Sequence, residues 1–297
     1  MEIRPLRDED VPVVVDLLSR ADDTRLLTPE SVQHERRTRP ERARALDVVA
    51  DADGCVVACG FAGLNTWTSE PGTAWAFVTV ASERRREGIG SAVGDVLIEH
   101  LGSIGARKAT SFIRQTDEGE RWAGKRGWSR VLTGPLIAVD PRGVPEPELP
   151  EGFRCVAMSE LTPQDLYEPV CEAALDEPSA TRNDAIGLDD FVREWDDPIF
   201  DPGASGAVVH DGKVVAFSFM RVAGARGQHG FTGCVRAFRG RGLATAAKRY
   251  ALRAAAGRGV TRVTTSNAEE NAAMRAINRR LGFEPIGEHV ILARELA

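Results

Sequence analysis

Along this chain the spacing of hydrophobic and polar positions changes in an order that occurs twice. Each half opens with a short extended run, residues 2–6 and 152–156, followed by a helical pattern. In the first half Asp8 and Asp10 can cap a helix carrying Val11, Val14, Val15, Leu17 and Leu18. In the second, Thr162-Pro163 precedes Leu166, Tyr167 and Val170, with proline at a helix start, where its missing N–H is not needed. Paired apolar runs come next. Residues 46–50 face 55–61 across Asp53-Gly54, and 207–209 face 214–219 across Asp211-Gly212. Asp-Gly between apolar runs predicts a hairpin, because the tight turn needs positive φ at both positions.

A further strand-like run, 76–80 or 230–234, leads into an Arg- and Gly-rich stretch that opens a helix. The copies read Arg85-Arg86-Glu87-Gly88-Ile89-Gly90-Ser91 and Arg239-Gly240-Arg241-Gly242-Leu243-Ala244-Thr245. Eight positions separate Val80 from Gly88, and eight separate Cys234 from Gly242. Such a loop turns several N–H groups and the positive end of a helix toward one point, a site for phosphate or diphosphate. Neither copy ends in the Gly-Lys-Ser/Thr of a nucleotide-triphosphate loop, and neither is a Gly-x-Gly-x-x-Gly fingerprint. Helices over 91–101 and 245–256, strands over 109–113 and 260–265, and a second helix follow in each half. Gly127-Trp128 and Gly282-Phe283 come next; the halves are offset by 154 residues at Gly88/Gly242 and by 155 at Gly127/Gly282. This is an internal duplication. The sequence predicts an α/β (α+β) fold of two tandem domains, 1–140 and 151–297, each a mixed, mostly antiparallel sheet flanked by helices. The Pro-rich residues 141–150 are expected to be a linker.

Composition narrows the function. The 297 residues are 42% hydrophobic and 28% charged, long and apolar enough for two cores. A net charge of −6 argues against nucleic acid as a partner. Basic residues are almost all Arg, the lysines being Lys108, Lys125, Lys213 and Lys248, so no single Arg carries weight. The five cysteines form no Cys-x-x-Cys pair and read as reduced thiols; no metal site is expected. With no leader pattern and no run long enough to span a bilayer, a cytoplasmic protein with no membrane partner is expected.

The residues of the loops resemble a known family. Arg85-x-x-Gly88-x-Gly90 and Arg239-x-x-Gly242-x-Ala244 fit the Gln/Arg-x-x-Gly-x-Gly/Ala signature of GCN5-related N-acetyltransferases. Asn271-x-x-Met274-x-x-x-Asn278-x-x-x-Gly282-Phe283 resembles that family's second block, Asn-x-x-Ala-x-x-x-Tyr-x-x-x-Gly-Phe. The tandem arrangement is similar to that of mycothiol synthase-like members. The resemblance implies an acetyl-CoA-dependent N-acetyltransferase acting by direct attack of a primary amine, most simply that of a small molecule, on the thioester. It implies that the pantetheine arm runs beside Val78, Val80, Thr232 and Cys234. It also implies that the diphosphate is held at Arg85, Arg86, Gly88, Gly90 and Ser91, or at Arg239, Arg241, Gly242, Ala244 and Thr245, with Asn271 part of the cofactor site.

Acetyl transfer needs a group to take the amine proton and a donor for the departing thiolate. Where the family block has Tyr this chain has Asn278, which offers an N–H but no proton. The first-half counterparts are Ala123 and, for Asn271, Thr116, so the C-terminal domain is the expected catalyst. His229 and the acidic group Glu172, Asp176 and Glu177 are candidate bases; a hydrogen-bonded strand histidine and a solvated acidic loop are the plainer readings. Cys234 is either a covalent nucleophile or a small apolar filler. The five Trp residues either shape acceptor pockets or pack cores. Segments 22–44 and 176–201 are expected to be variable loops around the acceptor. A second reading, a non-catalytic acyl-CoA-binding or interaction module, draws on the missing Tyr and on Ser82 and Arg236 where the family has proline.

Overall fold

The computed structural model describes residues 1–296. They form two compact units, Met1–Thr133 together with the C-terminal stretch from Glu288, and Gly134–Gly287. In the first unit β1 (Glu2–Pro5), β2 (Leu46–Ala52), β3 (Cys55–Leu64) and β4 (Thr73–Val80) form an antiparallel meander. β4 then pairs in parallel with β5 (Lys108–Arg114). Period-two alternation sends Val48 and Ala50 to one face, where α3 (Ile89–Ser103) packs Val93, Leu97 and Leu101 on them. Val49 and Cys59 point to the other face and meet Val11, Val14 and Leu17 of α1 (Val11–Ala21). α2 (Pro29–Thr38) and α4 (Asp117–Gly124) complete the helices of this unit.

The second unit repeats the plan with β7 (Arg154–Ala157), α5 (Pro163–Ala174), α6 (Leu188–Trp195), β8 (Gly206–His210), β9 (Lys213–Ala223) and β10 (Arg226–Cys234). α7 (Leu243–Gly257), β11 (Arg262–Ser266) and α8 (Ala272–Arg280) follow. α7 covers one face, with Leu243, Ala246 and Ala247 on Val208, Val215 and Ala216. α5 covers the other, with Leu166, Val170 and Ala173 packed against Ala207, Val209 and Phe217.

The compact units part at other residues than the expected domains. Two long strands, β6 (Ser129–Val139) and β12 (Glu284–Glu295), follow the Gly-aromatic pair of each half and are equivalent in sequence position. The chain nevertheless leaves the first unit within β6 and re-enters it within β12. Residues 136–139 pair antiparallel with β11 in the second unit, and 289–295 pair with β5 in the first. An apolar strand pattern specifies a face but not a partner, so the local sequence could not reveal this exchange. Residues 141–150 are also more than a linker: Val144 is buried in the second core, and Arg249 and Arg253 of α7 grip Glu148 and Glu146. The segments expected as loops contain α2 and α6. Thr28 caps α2 with Pro29 at its first position, and α6 carries Leu188, Phe191, Val192 and Trp195 at helical spacing.

Candidate active site

In the second unit β10 and β11 are hydrogen-bonded only over 226–228 and 262–264, and then part. At the fork Thr265 Oγ1 donates to His229 O at 3.1 Å, and β10 carries a bulge between His229 and Thr232. A bulge leaves backbone groups without cross-strand partners and re-aims the strand, as expected beside a ligand slot. β10 ends at a turn, 236–238, and the loop then passes through two left-handed residues, Gly240 (φ 78°) and Gly242 (φ 80°). Among the described residues no backbone carbonyl accepts from the amides of Gly240 to Thr245. They stand at the start of α7, and a Cβ on Gly242 would have no protein atom within 4 Å. That is an open cradle of N–H donors at a helix N-terminus, which fits a diphosphate.

The first unit builds the same loop with one difference. Gly88 is left-handed (φ 83°), but Arg86 holds the φ of 69° that Gly240 supplies in the second unit. Trp122 sits over the helix start: its Nε1 lies 3.4 Å from Ser91 Oγ, and its ring is 3.5 Å from where a Cβ on Gly94 would be. Arg126 covers Trp122 and donates to Ser91 O at 3.2 Å. Arg85 pairs with Glu118 at 3.4 Å and reaches Val80 O at 3.4 Å. Val78 and Val80 line an unbulged β4, in register with β3 from Val80 to Ala74.

Buried polar side chains gather on the strands and helices around the second unit's fork. Ser218 of β9 lies 2.7 Å from Thr232 Oγ1 and 3.2 Å from His229 Nε2, all three buried. Lys248 of α7 is 1% exposed, its Nζ 3.9 Å from Met274 Sδ and 5.2 Å from the centre of the Phe283 ring. Asn278, four residues beyond Met274 on α8, is also 1% exposed and donates from Nδ2 to Asn267 Oδ1. Among the described residues Asn278 Oδ1 has no partner, and His229 Nδ1 has no side-chain partner, with only the Gly230 backbone beside it. Burial, and secondarily the charge of Lys248, hold the His229 pKa well below its usual value, so the ring stays neutral. Burial alone brings Lys248 down to about 7. At the matching places the first unit has Gly60, Ala76 and Gly94, and a Cβ on Gly60 would lie 2.7 Å from Val93 and 3.0 Å from Leu97.

Three sequence expectations change. Asp176 is bound to Arg236 at 2.7 Å and Arg239 at 2.8 Å, which hold its carboxyl well below the usual range. It is a tether for the loop rather than a base, and Arg239, which also donates to Cys234 O at 3.0 Å, is part of that tether. Glu172 accepts from the Arg236 amide at 2.7 Å. Asn271 caps α8 through Met274 N, and Thr116 caps α4 through Gly119 N, so the Asn-to-Thr change keeps this anchor. Burial raises the Cys234 thiol to about 11, which leaves it a poor nucleophile. Arg241 stacks on Phe238. The sequence reading passed over Ser218 and Lys248; the available signal was a lysine within the apolar stripe of α7 in a chain with four lysines.

An acetyltransferase (GNAT) family model matches residues 14–121 and 167–283. The chain belongs to the GNAT family. It is an N-acetyltransferase whose two matched segments each contain one glycine loop, the arrangement of a tandem GNAT protein. No curated protein matches the sequence. Among solved structures, a tandem GNAT protein from the clavulanic acid biosynthesis pathway is 24% identical, with TM-score 0.77, covering 100% of this chain and 98% of that one. A GCN5-related N-acetyltransferase from Sphaerobacter thermophilus is 21% identical, with TM-score 0.74 and coverages of 99% and 95%. A putative acetyltransferase from Pyrococcus horikoshii is 15% identical, with TM-score 0.63 and coverages of 99% and 89%. At these identities the likeness is one of fold. Within the GNAT frame Asn278 stands where the family block has its tyrosine, on the same face of α8 as the Lys248 contact, Met274. No helix among the described residues is long and apolar enough to cross a membrane.

Proposed function

We propose that the C-terminal GNAT unit transfers the acetyl group of acetyl-CoA to a primary amine of a small molecule by direct attack of the amine on the thioester. The observation that carries this reading is the forked β10/β11 edge, which opens beside an unpaired amide cradle and a buried polar set with bonding capacity to spare. The first unit has the loop but not the bulge or the polar set, so its part is to bind the same cofactor or to support the fold.

Acetyl-CoA would supply the activated acyl group. The amides from Gly240 to Thr245, with Gly242 and Ala244 leaving room, would hold its diphosphate, and the Arg239 and Arg241 side chains add positive charge at the loop. The unpaired edge of β10 near Thr232 and Cys234 would carry the pantetheine amides, as Val78 and Val80 of β4 would in the first unit beside Arg85, Arg86, Gly88, Gly90 and Ser91. Asn271 fixes the start of α8, and so places Asn278. His229, held neutral and joined through Ser218 to Thr232, would orient the hydroxyls at the slot without taking up a proton itself. A small acceptor is supported by the roof over the opposite face, where Phe191, Trp195, Phe200 and Phe219 interlock. The net charge of −6 favours no nucleic-acid partner, and five free cysteines suit a cytoplasmic setting.

Calorimetric titration with acetyl-CoA, together with a thiol-release assay over a panel of amines, tests the reading. Binding with amine-dependent CoA release is expected. Binding without release from any amine would leave only a cofactor-binding protein.

A further inference from the structure

Lys248 stands out because its position is costly. The amine lies on the buried stripe of α7, and among the described residues no carboxylate pairs with it. An ammonium taken out of water without a counter-charge is strongly disfavoured. Methionine would fill nearly the same volume without that penalty. Buried titratable groups of this kind concentrate where their proton is used.

Its surroundings point the same way. Facing it are Met274 of α8 at 3.9 Å and the Phe283 ring at 5.2 Å, and it is close enough to His229 of the sheet for its charge to act on that ring, which in turn is joined through Ser218 to Thr232. His229 is the one titratable group in this set, and it is held neutral. On α8, Asn278 Oδ1 is buried with no hydrogen-bond partner among the described residues. A buried amine with no carboxylate, set between a thioether, an aromatic ring and a histidine that is held neutral, has hydrogen-bonding capacity left for a polar ligand.

We propose that Lys248 is the acid of the C-terminal unit, giving its proton to the sulfur that leaves the acyl carbon, the task that Asn278 cannot perform. This rests on the acyl-CoA reading above. As the acceptor nitrogen bonds to the acyl carbon, the carbon–sulfur bond breaks and its electron pair stays on sulfur. Lys248 Nζ protonates that sulfur and becomes a neutral amine. The acceptor nitrogen, entering with two hydrogens and leaving as an amide with one, returns a proton to Lys248. No electron is gained or lost, and the residue ends as it began. Its pKa of about 7 suits a group that must both give and regain a proton near neutrality.

The test uses the full chain labelled with nitrogen-15 lysine, which gives four side-chain resonances. CoA is added while binding is followed in parallel by calorimetry. The Lys248 resonance is expected to titrate near neutrality and to move on CoA binding, whereas that of Lys213, exposed beside the Asp211-Gly212 turn, stays in place. Lys248→Met should fold, bind CoA with an affinity within about threefold of wild type, and lose about 10²–10⁴ in kcat. It should also lose the limb of the pH profile that falls as the ammonium deprotonates. If CoA binds and the Lys248 resonance does not move, or if Lys248→Met keeps wild-type turnover, the assignment is overturned while the transferase reading stands. If CoA fails to bind at all, both fall.

Discussion

Gly242→Val is the sharpest probe of the loop. Gly242 is the left-handed residue that precedes α7, and an added Cβ would meet no protein atom within 4 Å. Packing is therefore untouched, and the cost to the fold is backbone strain of about 1–2 kcal/mol, somewhat more for a β-branched residue. The cost to the ligand is larger, because the new side chain fills the mouth of the amide cradle. Displacing the diphosphate from two of its amides, at about 1.5–3 kcal/mol for each charge-assisted bond, removes about 3–6 kcal/mol. At about 1.4 kcal/mol per factor of ten, CoA affinity at that site should fall about 10²–10⁴-fold. Calorimetry gives the affinity and stoichiometry, and urea unfolding separates the strain. Gly242→Ala, with similar strain and less bulk, should lose less. Gly88→Val in the first unit shows whether that loop is loaded as well. A Gly242→Val protein that is folded and binds CoA within threefold of wild type at unchanged stoichiometry would refute the cradle.

Other substitutions test the surrounding construction. Gly233→Ala should destabilise by about 1–3 kcal/mol in urea, since its Cβ would lie 2.7 Å from Ala173 Cβ and 2.9 Å from Phe217 Cε1. Arg86→Gly should stabilise the first unit by about 0.5–1 kcal/mol, because relief of left-handed strain exceeds the added unfolded-state entropy. Asn278→Ala should slow turnover more than it weakens CoA binding, and orphaning Asn267 should cost about 1–3 kcal/mol in thermal unfolding. Folding favours the neutral form of Lys248, so the unfolded chain binds more protons between about 7 and the ordinary 10.5. Stability should therefore rise with pH across that window in wild type, and Lys248→Met should lack this rise.

The two glycine loops that open α3 and α7, the hairpins at Asp53-Gly54 and Asp211-Gly212, and the helix ends at Gly127 and Gly282 were determined by the sequence itself. Each depends on a property of a few adjacent residues: positive φ, a missing Cβ, a cap, or a period of apolar positions. The tandem GNAT pattern follows from those local features repeated at one spacing. Tertiary structure alone decided which unit's strand residues 136–139 and 289–295 pair with, because an alternating strand carries a face but no address for its partner. It likewise turned Asp176 from a candidate base into a partner of Arg236 and Arg239, and set Lys248 near His229 and Met274. Charge and desolvation depend on residues tens of positions away, so the chemistry of these groups exists only once the chain has folded around them.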